Sequence, residues 1–471
     1  MRQAHTFSLL LFLLFSWANV LQAQPNTLYF MKGIVQTKDL NPARPGIERG
    51  FYISLPVFSK VDFSVNANNW SYNDLIHPGS GEMSDSLVWD FNKYLSSIDK
   101  NNFVMESAAL TLVDIGWKKG KEFYGFSWSE REYAEPFFSE NLVNVLYKGN
   151  WPSLGSTYHS GYFGVSGAHY REFAFTYAKE VSKKMSVGIT GKLLFGMSGI
   201  KTSGLNLVAG MPKSGNEIDL GASGQAFISA PVEFRLVNER GYKLYTKNHY
   251  DPSTYLTNFG NPGFAVDLGF SNKVSKEFEF SVSLLDLGYI SWKKDVTAFT
   301  ESGHFLFRGI NLDESANTPP TTNDADGLFR ALRDSMRNTF LPLMTNRDFT
   351  TLLPVKLYVA GEYVVNEDFT LGGLVRVRMF NNMLHSSFTA SANAKMSKSL
   401  SLSASYSMVE DTYDNFGLGA ALRAGKVQFY AASDNIISFF KLSNARNTNL
   451  RFGINLILQD EPRRRKGVYG R

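Results

Sequence analysis

The sequence predicts an all-β protein: a transmembrane, antiparallel, up-and-down β-barrel of about 14 strands, with about 16 as the alternative, and short helices in its extracellular loops. Three observations carry this. The chain reads as exported yet has no stop-transfer helix, its long segments alternate with period 2, and its connectors alternate between short and long.

The 471-residue chain has no Cys, is 44% apolar and only 19% charged. Without Cys it has neither disulfides nor thiolate metal sites. An aromatic content of 14% speaks against disorder. Net charge is +5 and the basic residues are spread out, so no nucleic-acid face is expected. A mean hydropathy of −0.18 with one long apolar run excludes a polytopic helical membrane protein. That run opens the chain: Arg2, then apolar Phe7 to Val20, then Leu21-Gln22-Ala23. It reads as a signal peptide over residues 1–23, cut after Ala23 to leave Gln24 as the new terminus. No Cys stands near the cut, so a lipoprotein is not expected. Residues 24–458 then form one barrel domain, and 459–471 a basic periplasmic tail containing Arg463-Arg464-Arg465-Lys466. A solvated end is the plainer reading of that tail; contact with an acidic partner or anionic headgroups is the other.

Alternation is cleanest over Ser399 to Met408. Leu400, Leu402, Ala404, Tyr406 and Met408 share one face, and five serines the other. Phe388, Ala390, Ala392 and Ala394 oppose Thr389, Ser391, Asn393 and Lys395; Val375, Val377 and Met379 oppose Arg376 and Arg378. Such strands fit a soluble sandwich or a membrane barrel. Length decides: sandwich strands run about five or six residues, membrane strands roughly nine to eleven. Val187–Ile200, Phe278–Trp292, Phe369–Phe380 and Leu384–Met396 are all long. Their small polar faces suit a lumen.

Short turns fall at Ser59-Lys60, Lys118–Lys121, Lys179–Lys184, Asn272–Lys276, Asn366–Asp368, Ser397–Ser399 and Gly425-Lys426. Long connectors fall near 69–102, 132–160, 231–260 and 294–353. This is the pattern of periplasmic turns and extracellular loops. Region 202–230 breaks the parity, as either a further barrel hairpin or part of an extracellular loop. Within the loops, Asp85 is placed to cap a helix bearing Leu87, Phe91, Tyr94, Leu95 and Ile98. Pro136–Leu146 and Asp326–Phe340 are further helical candidates. Tyr289, Trp292, Phe380 and Tyr406 suit interfacial girdles or ordinary packing.

Arg451-Phe452-Gly453-Ile454-Asn455-Leu456-Ile457-Leu458 resembles the terminal-strand signal that barrel-assembly machinery reads, with Arg451, Gly453, Leu456 and Leu458 at its key positions. It departs from the commonest form by ending on Leu and by the tail that follows. Leu40-Asn41-Pro42-Ala43 is similar to the Asn-Pro-Ala element of FadL-like and PorV-like outer-membrane proteins. Leu285–Trp292 resembles a strand segment common in Bacteroidota barrels of that broad group, and Asn41–Leu75 resembles the start of an uncharacterised Bacteroidota outer-membrane β-barrel family. The resemblance implies an outer-membrane location, with membrane lipid and the assembly machinery as partners. It also implies passage of a hydrophobic or small solute. The alternative is a non-transporting partner in protein secretion or surface assembly, which would bind secretion or surface proteins.

Chemistry is sparse. The His residues lie in no tight metal spacing, so no metal or cofactor is expected. His77-Pro78-Gly79-Ser80 puts a base near a hydroxyl, but no third group or nucleophile elbow supports it. An enzyme is therefore not expected. The lumen-facing candidates are Lys356 and Glu362 on one strand and Arg376 and Arg378 on the next. They form either an ion-paired plugged lumen or a selectivity site.

Overall fold

The computed structural model describes residues 26–56, 58–81, 84–148, 155–211, 217–236, 242–246, 252–307, 339–409 and 412–458. The expected signal peptide, the basic tail and nearly all of the helix expected over Asp326–Phe340 lie outside the described residues.

Fourteen antiparallel strands close into a barrel. Strand β1 is in two pieces, Gly50–Ser54 and Lys60–Ala67. The next four are β2 (Asn101–Lys119), β3 (Glu122–Ser139), β4 (Gly164–Glu180) and β5 (Met185–Met211). Then come β6 (Pro262–Lys273), β7 (Phe278–Trp292) and β8 (Phe349–Leu352 with Val355–Val364). The last six are β9 (Phe369–Phe380), β10 (Met383–Lys395), β11 (Leu400–Val409), β12 (Thr412–Ala424), β13 (Val427–Ser433) and β14 (Asn447–Leu458). Strand β14 pairs with both pieces of β1, so no sheet edge remains in the wall. In hydrocarbon an unpaired backbone group costs several kcal/mol, which is why a spanning sheet must close.

Side-chain direction follows the alternation. Phe388 is 45% exposed while Thr389 beside it is 0%, and Leu402 is 41% exposed while Ser403 is 4%. The oily residues thus point outward and the small polar ones into the lumen, the reverse of a soluble core.

Several expectations need correction. Ser59-Lys60 is not a hairpin turn. Both pieces of β1 face the same neighbours, so Leu55, Pro56, Phe58 and Ser59 belong to a bulge within one strand. Region 202–230 is not a barrel hairpin. Above Phe195, β5 leaves β6 and pairs with Ile218–Ser229, which pairs with Val296–Phe307. The wall therefore rises on this side as a sheet beyond the barrel, at the end that carries the long connectors. The split occurs where Trp292 fills the space beside Gly196 and Gly199. A Cβ at either glycine would lie 2.5 Å from the indole. Trp292 and Phe380 are accordingly buried inward rather than in a girdle, whereas Tyr289 is exposed on the outer face. Asp85 caps no helix. Leu87–Trp89 is a short strand, and Asp90 caps Phe91–Ser97 by accepting the Lys93 N–H at 2.9 Å. Pro136 to Ser139 belongs to β3, and the helix there spans Glu140–Lys148.

Residues 26–49, read as part of the barrel domain, contribute no wall strand. They lie in the lumen: Asn26 and Thr27 reach Asp434 just past the end of β13, while residues 31–33 and 46–48 lie beside the short turns at 182–184 and 366–368. Helix Asn26–Phe30 is buried throughout, and a 3-10 turn follows at Val35–Asp39.

Candidate functional site

The site is the lumen, and its floor is this N-terminal plug. Leu28, Tyr29, Phe30, Met31, Ile34 and Leu40 pack on wall residues including Leu285, Tyr358, Leu374 and Tyr430. The Tyr29 ring stacks on Tyr358 with centroids 5.6 Å apart, and its hydroxyl lies 2.9 Å from Ser281 Oγ. The polar lumen wall also holds the plug by hydrogen bonds. Asp434 accepts the backbone N–H groups of Asn26 (3.2 Å) and Thr27 (2.5 Å). Gln36 and Asn455 exchange amide hydrogen bonds of 2.7 and 3.0 Å. Thr27 Oγ1 lies 2.7 Å from Ser405 Oγ.

The Asn41-Pro42-Ala43 element is a dock. Asn41 Oδ1 accepts the Ala43 N–H at 3.0 Å, an Asx turn. Its Nδ2 donates to Tyr29 Oη, Phe270 O and Val282 O at 3.2 to 3.4 Å. The floor under this turn is a cross-strand glycine pair, Gly188 on β5 opposite Gly269 on β6. A Cβ at Gly188 would lie 2.3 Å from the Pro42 carbonyl carbon, and one at Gly269 2.4 Å from Asn41 Oδ1. The turn and the glycine pair thus require one another.

Charge completes the seal. Lys38 meets Asp39 at 2.7 Å and Asp114 at 3.2 Å, and Lys60 meets Asp39 at 2.7 Å. Burial alone would raise the Asp39 carboxyl, yet the Lys38 and Lys60 ammonium groups hold it well below the ordinary carboxylate range. Burial would likewise lower Lys38, but Asp114 and Asp39 keep it above the ordinary lysine value.

All four lumen candidates turn inward, and they play different parts. Glu362 grips the plug through Arg44 and through Lys32 at 3.1 Å. Lys356 meets Asp286 at 2.7 Å. Arg378 crosses the lumen to Glu135 on β3. Arg376 donates from Nε to the Tyr358 hydroxyl at 3.1 Å. Sequence reasoning missed the densest group. Lys192 on β5 meets Asp286 at 2.5 Å, Asp267 at 2.8 Å and Glu172 at 3.8 Å. Asp286 has φ +60°, and the β6–β7 register slips at this point, so Leu285 and Asp286 are both buried.

Above the charges the lumen is pinched. Tyr133 and Phe380 meet edge to face at 5.3 Å beside the Glu135–Arg378 pair. The β9–β10 turn folds in, with Tyr162 donating to Asn381 O at 3.0 Å. Between pinch and plug lies a cavity of about 120 Å³.

In the terminal strand, Arg451 and Gly453 face inward and Leu458 outward. Arg451 pairs with Asp62 at 2.8 Å. A Cβ at Gly453 would lie 2.3 Å from Ser59 O in the β1 bulge, so packing alone requires this glycine. His77 faces Pro78 O at 2.9 Å and the Asp90 carboxylate at 3.5 Å, and no serine hydroxyl bonds to it among the described residues.

A closed sheet, an outward apolar belt and a luminal plug define an integral β-barrel of the outer-membrane type. The chain belongs to the Family of unknown function (DUF5723), whose model matches residues 45–434. No protein of curated function matches the sequence. Among solved structures it is similar to the Pseudomonas putida toluene transporter TodX, at 9% identity and TM-score 0.40, covering 92% of this chain and 96% of that one. It is also similar to a Pseudomonas aeruginosa FadL homologue, at 8% identity and TM-score 0.38, covering 91% and 95%.

Proposed function

We propose that this protein is an outer-membrane channel for a small solute, gated by its own N-terminal plug. The observation that carries the reading is the mid-lumen cavity closed below by the plug and above by the pinch. The plug is held by an apolar cluster, ion pairs and hydrogen bonds to lumen side chains, but it adds no strand to the wall, so its release breaks no strand-to-strand hydrogen bond of the barrel. Half of the residues lining the cavity are charged, which favours a small polar solute over a hydrophobic one.

The absence of native Cys permits a clean test. Thr27→Cys with Ser405→Cys, at a native Oγ1–Oγ separation of 2.7 Å, ties plug to wall when oxidised. Thr176→Cys with Thr190→Cys, at 2.9 Å, ties two wall strands only. In proteoliposomes the first lock is expected to abolish solute-dependent swelling and a reductant to restore it, while the wall lock leaves swelling intact. Equal swelling with the plug locked and free would contradict gating.

The second reading, a partner in secretion or surface assembly, has one observation in its favour. Trp89, Phe91 and Tyr147 form an aromatic stack on the extracellular loops, with Trp89 62% exposed. A role of that kind would be indifferent to the plug lock.

A further inference from the structure

We propose that the mid-lumen cavity is a binding site for a small oxyanion, with Arg376 as its principal donor. Arg376 is 2% exposed and lines the cavity. Its Nε is bound to Tyr358 and its guanidinium stands 5.6 Å from that ring's centroid. Its Nη1 is buried with no hydrogen-bond partner. Among the described residues no carboxylate pairs with it.

The other carboxylates at the cavity are committed. Asp39 is held by Lys38 and Lys60, Asp62 by Arg451, and Asp286 by Lys192 and Lys356. Glu132 sits beside inward Tyr133 on β3, at an outward-facing position of the alternation. Of the seven Lys and Arg side chains at the cavity, six meet carboxylates: Lys60, Arg131, Lys192, Lys356, Arg378 and Arg451. Arg376 alone does not, among the described residues. A guanidinium stays charged at any physiological pH, and burying it unpaired is unfavourable unless an anion meets it. Its planar fork suits the paired oxygens of a carboxylate or phosphate. A cavity of about 120 Å³ takes such a group and not an acyl chain.

This deepens the gated-channel reading and rests on it for the anion's route. The site itself is read without flux. The purified full-length protein is titrated with inorganic phosphate and, separately, with acetate, at ionic strength matched by chloride, and its unfolding midpoint is followed. Either anion is expected to raise the wild-type midpoint saturably. The response should fall at least tenfold in apparent affinity in Arg376→Lys and vanish in Arg376→Met, which without added anion should be no less stable than wild type. Arg423→Gln, at a half-buried position near the β12–β13 turn and outside the cavity lining, should respond as wild type. Response to phosphate alone, acetate alone or both identifies the oxyanion. No response in the wild type, or an equal response in Arg376→Met, overturns the proposal. If Arg376→Met does not fold, the Arg376→Lys titration decides: affinity equal to wild type overturns it. Binding with no swelling in the lock experiment would keep the site and remove the channel; swelling with no binding would do the reverse.

Discussion

Lys192→Met is expected to destabilise the barrel by about 3–5 kcal/mol, the usual cost of removing one partner from a buried ionic group. Lys192 is 4% exposed and faces Asp267, Asp286 and Glu172. Met matches the stem of Lys in length, so packing is nearly conserved and the lost charge dominates. Three carboxylates would then share Lys356 and Arg131, the latter already 2.9 Å from Glu172. Urea titration of the protein in lipid, read by heat-modifiable migration on gels, measures the loss. Lys192→Arg should recover part of it. A midpoint for Lys192→Met within 1 kcal/mol (on the order of one ordinary hydrogen bond) of wild type would mean that this network contributes little to the fold.

Gly188→Ala combined with Gly269→Ala is expected to undock the plug while leaving the barrel closed. Each methyl would meet the Asn41–Ala43 turn at 2.3 to 2.4 Å, a distance real Cβ contacts do not reach. Overpacking of this kind costs roughly 1–3 kcal/mol per site. The wall can shed the strain by releasing the turn, because the plug adds no strand to the sheet. A single cysteine at Thr27, buried beneath Asp434 and Ser405, reports the outcome. Its labelling by a water-soluble maleimide should accelerate tenfold or more in the double variant. Gly191→Ala is the control, since a Cβ there meets nothing within 4 Å. Unchanged labelling in the double variant would show that the glycine pair does not hold the plug.

The wall was legible in the sequence because lipid and lumen impose opposite demands on alternate residues. Phe369–Phe380 and Phe278–Trp292 were read to their ends. The plug was not legible: residues 26–40 carry no strand period, and their apolar side chains are buried by partners hundreds of residues away. The Asn41-Pro42-Ala43 element was visible only through its resemblance; its meaning lies in two glycines far along the chain. Lys192 and Asp286 were overlooked because each stands as a single charge among uncharged sequence neighbours. The signal that was available is a charge on the lumen face of Thr190-Gly191-Lys192 and the one acid interrupting Leu284–Leu287. Trp292 and Phe380 misled because a large aromatic near a strand end suits a membrane interface and a pinched lumen equally.

Spin labels at single cysteines test the central claim, a closed sheet with its oily face on lipid. Phe388 and Leu402 project outward, and Thr389 and Ser403 inward. In liposomes, labels at 388 and 402 should collide readily with oxygen, which partitions into hydrocarbon, and rarely with a water-soluble nickel chelate. Labels at 389 and 403 should lack that oxygen preference. Equal oxygen accessibility at all four positions, in protein that is folded, would contradict the account.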